Sequence, residues 1–73
     1  MTGQEETRYG LTVSHIGWVL QGHDSYEHVL GEYQYYVAQE LYSQITMWEE
    51  YWQGGVYKSS EPLYTTDLEG GLE

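Results

Sequence analysis

The 73-residue sequence predicts an α+β fold: a small single domain in which one long amphipathic helix packs on a short antiparallel β-sheet, in the order β-α-β-β. Three observations support this prediction. Apolar residues recur at helical spacing through the middle of the chain, β-branched and aromatic residues dominate the stretch before it, and two short runs separated by a turn follow it. A chain of this length has room for one compact core.

The first part of the chain is expected to contain a polar arm, residues 1–8, followed by a strand region, residues 9–21. The apolar residues of the strand region first occupy odd positions, Leu11 and Val13, and then even positions, Ile16, Trp18 and Leu20. A β-bulge at Gly17 would produce such a change. A tight hairpin around residues 14–17 is the alternative.

The long helix is predicted to span residues 25–53. Asp24 followed by Glu27 fits an N-terminal capping box, and Gly54 with Gly55 fits the position just after a helix. Spacings of three or four residues separate the apolar positions throughout: Tyr26, Leu30, Tyr33, Val37, Leu41, Ile45, Trp48 and Trp52. Such a helix would be about 40 Å long.

Residues 56–66 predict a β-hairpin, and residues 67–73 are expected to be an acidic tail. The hairpin strands are placed at residues 56–59 and 63–66, with the turn at residues 60–62. The alternative is a looser fold in which only the helix is regular.

Charge and composition exclude several function classes. Two basic residues stand against twelve acidic ones, which gives a net charge of −10 with neutral histidines. Direct binding to nucleic acid or to anionic membranes is therefore not expected. The sequence shows neither a membrane-spanning apolar run nor a signal-peptide pattern, so we expect a soluble cytoplasmic protein. Without cysteine there is no disulfide or thiolate metal site.

The sequence also lacks the patterns of a catalytic or cofactor site. His15, His23 and His28 are not spaced to converge on a metal ion. Neither a nucleophile elbow nor a phosphate-binding glycine loop is present. We therefore predict a protein that is not an enzyme and that binds no cofactor and no metal.

A partner-binding surface is the remaining candidate. On a helical projection, tyrosines flank the polar side of the predicted helix and carboxylates lie on that side and its margins. Tyrosine and tryptophan provide large contact areas in interfaces. The candidate partner-binding residues are Glu32, Tyr35, Tyr36, Glu40, Tyr42, Glu49, Glu50 and Trp52.

These observations favour a non-catalytic acidic inhibitor that occupies the basic nucleic-acid-binding site of another protein as a DNA or RNA mimic. Helix carboxylates such as Glu27 and Glu32 would be about 6 to 8 Å apart, close to the spacing of phosphates on a strand. By analogy with phage-encoded counter-defence proteins such as anti-CRISPR proteins, the expected partner is a CRISPR effector, a nuclease or a DNA-repair enzyme in the host cytoplasm. The alternative is a structural or regulatory interaction module, including a helix-mediated homodimer, since Gln34 and Gln44 lie in the apolar sector.

Overall fold

The computed structural model describes residues 5–67, and the sheet dominates it. Four antiparallel strands are arranged in the order β2-β1-β3-β4, and one helix packs on one side. The elements are β1 (Glu5–Val13), β2 (Gly17–His23), α1 (Tyr26–Gln39), β3 (Gln44–Gln53) and β4 (Val56–Asp67). The predicted fold class is therefore wrong: the order is β-β-α-β-β, and the helix has only 14 residues. Residues 1–4 of the predicted arm and residues 68–73 of the predicted tail lie outside the described residues.

The first hairpin replaces the predicted arm and bulged strand. Residues 5–8 belong to β1, and the chain reverses through residues 14–16 so that Val13 pairs with Gly17. The alternative of a tight hairpin is thus confirmed. Gly17 has φ of 95°, and the register shifts of this hairpin fall beside Leu11 rather than at Gly17.

The helix begins one residue later than the capping pattern indicates. Ser25 is the N-cap, because its Oγ accepts a hydrogen bond from the His28 amide at 3.1 Å. Glu40 ends the helix in the left-handed region, with φ of 56°, and its amide donates to the Val37 carbonyl. The predicted boundaries of 25 and 53 are therefore wrong at the C-terminal end by 14 residues.

Residues 44–53 form a strand, although their apolar spacing also fits a helix. Alternate residues point to opposite sides of β3, so Ile45 and Met47 face α1. The strand lies at the sheet interior, where it pairs with β1 along one side and β4 along the other. This pairing satisfies the backbone groups on both sides, and a period of two replaces the apparent helical period.

The second hairpin connects β3 to β4 at the two glycines that were expected to end the helix. Gly54 and Gly55 have φ of 58° and 80°, which are the signs that a two-residue type I′ turn requires. The turn predicted at residues 60–62 is wrong, because β4 continues through Pro62. Since β4 is an edge strand, one of its sides has no ladder and tolerates a proline.

The core lies between α1 and the sheet. Its buried members are Leu11, Val13, Val29, Ile45 and Met47. At ~1.5 Å per helical residue and ~3.3 Å per strand residue, α1 spans about 21 Å and β3 about 33 Å. α1 begins beside Tyr9, which Tyr26 contacts, and runs toward Thr66, which hydrogen-bonds to the Tyr33 hydroxyl. Within residues 5–67, no helix therefore covers the sheet on the other side of Tyr9.

Candidate partner-binding surfaces

The side of the sheet opposite α1 carries all three tryptophans of the chain. We call it the tryptophan face. Strand alternation and the β1–β3 register place its residues on that side. Its members are Arg8, Gly10 and Thr12 of β1, Trp18 of β2, Trp48, Glu50 and Trp52 of β3, and Tyr57 of β4.

A carboxyl group is buried in the tryptophan face. Glu50 has no exposed surface at all. Its Oε1 accepts hydrogen bonds from the Gly22 amide at 2.8 Å and from the Trp52 indole Nε1 at 2.9 Å. Its Oε2 has no hydrogen-bond partner among the described residues. Buried acceptors nearly always have a partner, so this oxygen requires an explanation.

Gly10 provides the space that the Glu50 side chain occupies. A Cβ atom at Gly10 would overlap Glu50 Oε2, and it would lie 2.8 Å from the Trp18 ring and 3.0 Å from the Leu20 carbonyl oxygen. Oε2 therefore lies over the backbone of β1, next to Trp18. A glycine here is a requirement of packing, since only a missing side chain leaves room for the carboxyl group.

The rings around this carboxyl group are held in different ways. Trp48 donates from Nε1 to Thr12 Oγ1 at 2.8 Å, and its ring lies 6.0 Å from that of Trp18. The Arg8 guanidinium lies 5.1 Å from the centre of the Trp52 ring, a cation–π contact. Trp52 also meets the edge of Tyr57. Trp48 and Trp52 are thus anchored through their indole nitrogens.

A second surface lies on the helix side of the sheet, beyond Tyr9. We call it the acidic end, and it is formed by Glu5, Glu49, Tyr51 and Glu61. Glu49 and Glu61 are directly opposite each other in the β3–β4 ladder, an arrangement of like charges that destabilises a sheet. The Tyr51 hydroxyl donates to Glu49 Oε1 at 2.7 Å. This hydrogen bond, with some desolvation, raises the pKa of Tyr51 to about 12.

Few cations balance these carboxylates. Within residues 5–67, the ion pairs are Arg8 with Glu6 and a 3.7 Å approach of His23 to Asp24, in which the imidazole is charged only when protonated. Lys58 lines an open cavity of about 450 Å³ beside the acidic end, together with Glu5 and Tyr51. In this part of the chain, Glu49 and Glu61 form no ion pair.

The structure divides the eight predicted partner-binding residues among three places. Tyr35, Tyr36 and Tyr42 form a ring cluster at the C-terminal end of α1, with successive ring centres 5.4 and 5.8 Å apart. The half-buried Glu32 lies on the same helix, and the exposed Glu40 is its C-cap.

The other three predicted residues are on the sheet. Glu49 belongs to the acidic end, whereas Glu50 and Trp52 belong to the tryptophan face on the opposite side. The eight residues therefore do not form one helical surface. Their role in partner binding stays a prediction.

Sequence reasoning missed Trp18, Trp48, Gly10 and Arg8 as neighbours of Glu50. The available signal was the alternation in Thr46-Met47-Trp48-Glu49-Glu50-Tyr51-Trp52, where every second residue faces the same side. The glycine opposite Trp48 in the β1–β3 register was a second signal, because a glycine within a strand often marks a close approach.

The described residues contain no group of three or more potential metal ligands. His23 and His28 stack face to face, with ring centres 4.4 Å apart. Within residues 5–67, no helix has the length and apolar character that crossing a bilayer requires. A scan of protein-family models, a search of curated proteins and a search of solved structures each find no match to this chain.

Proposed function

We propose that this protein is a non-catalytic acidic inhibitor that acts in the cytoplasm by occupying the basic nucleic-acid-binding site of a partner protein. The observation that supports this most directly is the acidic end. Glu49 and Glu61 are held opposite each other at some expense of stability, and neither has an ion pair within residues 5–67. A lysine- or arginine-lined groove would supply the missing cations and would be steered to this surface.

Charge density indicates which form of nucleic acid the protein would imitate. Within residues 5–67, ten carboxylates less the charges of Arg8 and Lys58 leave eight net negative charges on a body 50 Å long, or one per about 6 Å. Duplex DNA carries one charge per about 1.7 Å, whereas phosphates along an extended single strand are roughly 6 to 7 Å apart. The proposal is therefore a mimic of a single strand.

The competing function is an interaction module that does not compete with nucleic acid. The tyrosine cluster at the end of α1 favours it, because Tyr35 is 58% exposed and the neighbouring Leu41 is 47% exposed. The helix-mediated homodimer loses its main support, since the stripe that would have formed the interface is divided between α1 and β3.

Capture and competition test the proposal. The immobilised protein is incubated with a nuclease-treated bacterial lysate, and the captured protein is purified and tested for binding to a single-stranded oligonucleotide. We expect the oligonucleotide to displace the captured protein from the immobilised chain. The double variant E49K/E61K should lose capture, and the control E40K/D67K, which reverses two exposed carboxylates outside the acidic end, should retain it. Glu50 is left unchanged because it is buried.

Two results would contradict the proposal: a captured protein that the oligonucleotide does not displace, or equal capture by E49K/E61K and the unmodified chain. Circular dichroism of both variants establishes that the sheet is intact. If capture instead depends on Tyr35, the interaction module is the better description.

A further inference from the structure

We propose that the tryptophan face binds the guanidinium group of an arginine presented by a protein partner. Glu50 Oε2 is the hydrogen-bond acceptor of this site, and Trp18 and Trp48 are its aromatic walls. The site lies on the side of the sheet opposite the acidic end and is independent of the proposed function.

Glu50 Oε2 is an acceptor without a donor among the described residues. The chain provides Glu50 Oε1 with two donors, the Gly22 amide and the Trp52 indole, but provides Oε2 with none among the described residues. Leaving a buried carboxylate oxygen without a donor is unfavourable, and a charged donor offsets this most strongly. The group that completes the site therefore carries N–H donors and a positive charge.

Arginine fits this site better than other donors do. The Trp18 ring lies next to Glu50 Oε2 over Gly10, and the Trp48 ring lies 6.0 Å from that of Trp18. Cations are attracted to the faces of tryptophan rings. The chain itself shows this preference, because the Arg8 guanidinium already lies over Trp52. The planar guanidinium stacks on a ring while donating to a carboxylate at its edge, which a compact ammonium group does less well. The net charge of −10 also favours a basic partner.

A guanidinium group reaches the buried Glu50 only if one of the surrounding rings moves. Trp48 and Trp52 are anchored through Nε1 by Thr12 and Glu50. Trp18 stands on the edge strand β2, one residue beyond the Gly17 that follows the turn, and is 44% exposed. Because the Trp18 ring lies beside Oε2 over Gly10, it is the ring that moves aside to admit the guanidinium.

The experiment compares two tripeptides that differ only in charge. The full chain is titrated with acetyl-Gly-Arg-Gly-amide and with the same peptide carrying citrulline, and the three indole N–H signals are followed by NMR. We expect saturable shifts with the arginine peptide, largest for Trp18, and binding of the citrulline peptide weaker by at least about tenfold.

The variant E50Q isolates the role of Oε2. Its amide oxygen retains the hydrogen bonds from Gly22 and Trp52, while its NH₂ replaces the unpartnered oxygen and opposes a cation. We expect E50Q to bind the arginine peptide at least about tenfold more weakly than the unmodified chain. The matched control E61Q removes one charge on the other side of the sheet and should bind normally.

The inference is overturned if the unmodified chain shows no saturable shift, if citrulline binds as well as arginine, or if E50Q binds as tightly as E61Q. The peptide comparison uses only the unmodified chain, so it decides the matter even if E50Q fails to fold. The two proposals can fail separately, because the E49K/E61K variant that tests the proposed function leaves the tryptophan face unchanged.

Discussion

Substituting Gly10 with alanine tests the packing beneath Glu50. The new Cβ would overlap Glu50 Oε2, while the Trp18 ring at 2.8 Å and the Leu20 carbonyl at 3.0 Å block its other sides. Overfilling a packed site typically costs about 1 to 3 kcal/mol. Displacing the carboxyl group also weakens its hydrogen bonds to Gly22 and Trp52, each worth about 1 kcal/mol or more. We therefore expect the free energy of unfolding to fall by about 3 kcal/mol.

Thermal unfolding followed by circular dichroism measures this loss. For a domain of this size, about 3 kcal/mol corresponds to a Tm lower by roughly 12 to 24 °C. The control is Gly31→Ala in α1, where a Cβ meets nothing within 4 Å. That change should stabilise the protein by about 0.5 to 1 kcal/mol, because alanine favours a helix over glycine.

A double-mutant cycle with Glu50 then identifies the cause of the stability lost in Gly10→Ala. If the clash is with the carboxyl group, the cost of Gly10→Ala should fall by at least about 1 kcal/mol in a Glu50→Ala background. A Gly10→Ala protein whose stability lies within about 0.5 kcal/mol of the unmodified chain would refute the placement of Glu50 over β1.

Three further outcomes follow from the hydrogen bonds and charges described above. Because Ser25 is the N-cap of α1, Ser25→Ala should lower the free energy of unfolding in urea by about 1 kcal/mol, whereas Asp24→Ala should change it little. A larger loss in Asp24→Ala than in Ser25→Ala would show that Asp24 is the N-cap. Ultraviolet titration should show a pKa near 12 for Tyr51, and Glu49→Gln should lower it. Because this pKa is raised in the folded state, the free energy of unfolding should decline as pH rises from about 10 to about 12. An unchanged titration in Glu49→Gln would contradict the assignment of the raised pKa to the hydrogen bond with Glu49. Glu61→Lys should raise stability by about 0.2 to 1 kcal/mol by converting a repulsive cross-strand pair into an attractive one, and a loss of stability would show that the two carboxylates do not interact as placed.

The sequence predicted the first half of the helix correctly and its second half wrongly for a specific reason. Tyr26, Leu30, Tyr33 and Val37 have a spacing that fits a helix, and α1 contains them. Ile45, Trp48 and Trp52 continue that spacing, but in β3 they lie on opposite sides of the sheet. Residues 44–53 contain aromatic and β-branched residues at both periods, so only pairing with distant strands decides between the two structures.

The candidate site was predictable only in part for the same reason. Tyr35, Tyr36 and Tyr42 were expected at a surface. They form a ring cluster in which Tyr35 is exposed, whereas Tyr36 and Tyr42 are half-buried and pack against the core. The juxtaposition of Glu50, Gly10 and Trp18 depends on the β1–β3 register and on the bulges of the first hairpin. These contacts join residues up to 40 positions apart, beyond the range of local pattern analysis.

The strand order has a consequence for how the chain folds. Each hairpin closes a short loop, but the seam between β1 and β3 begins where Val13 pairs with Ile45, across the whole of α1. Closing that longer loop carries more entropy, so the hairpins should form early and the seam late. Neither hairpin has a core alone, since Leu11 and Val13 come from one, and Ile45 and Met47 from the other. Folding is therefore a docking of two halves, and a chain cleaved within α1 should regain its structure when both fragments are mixed.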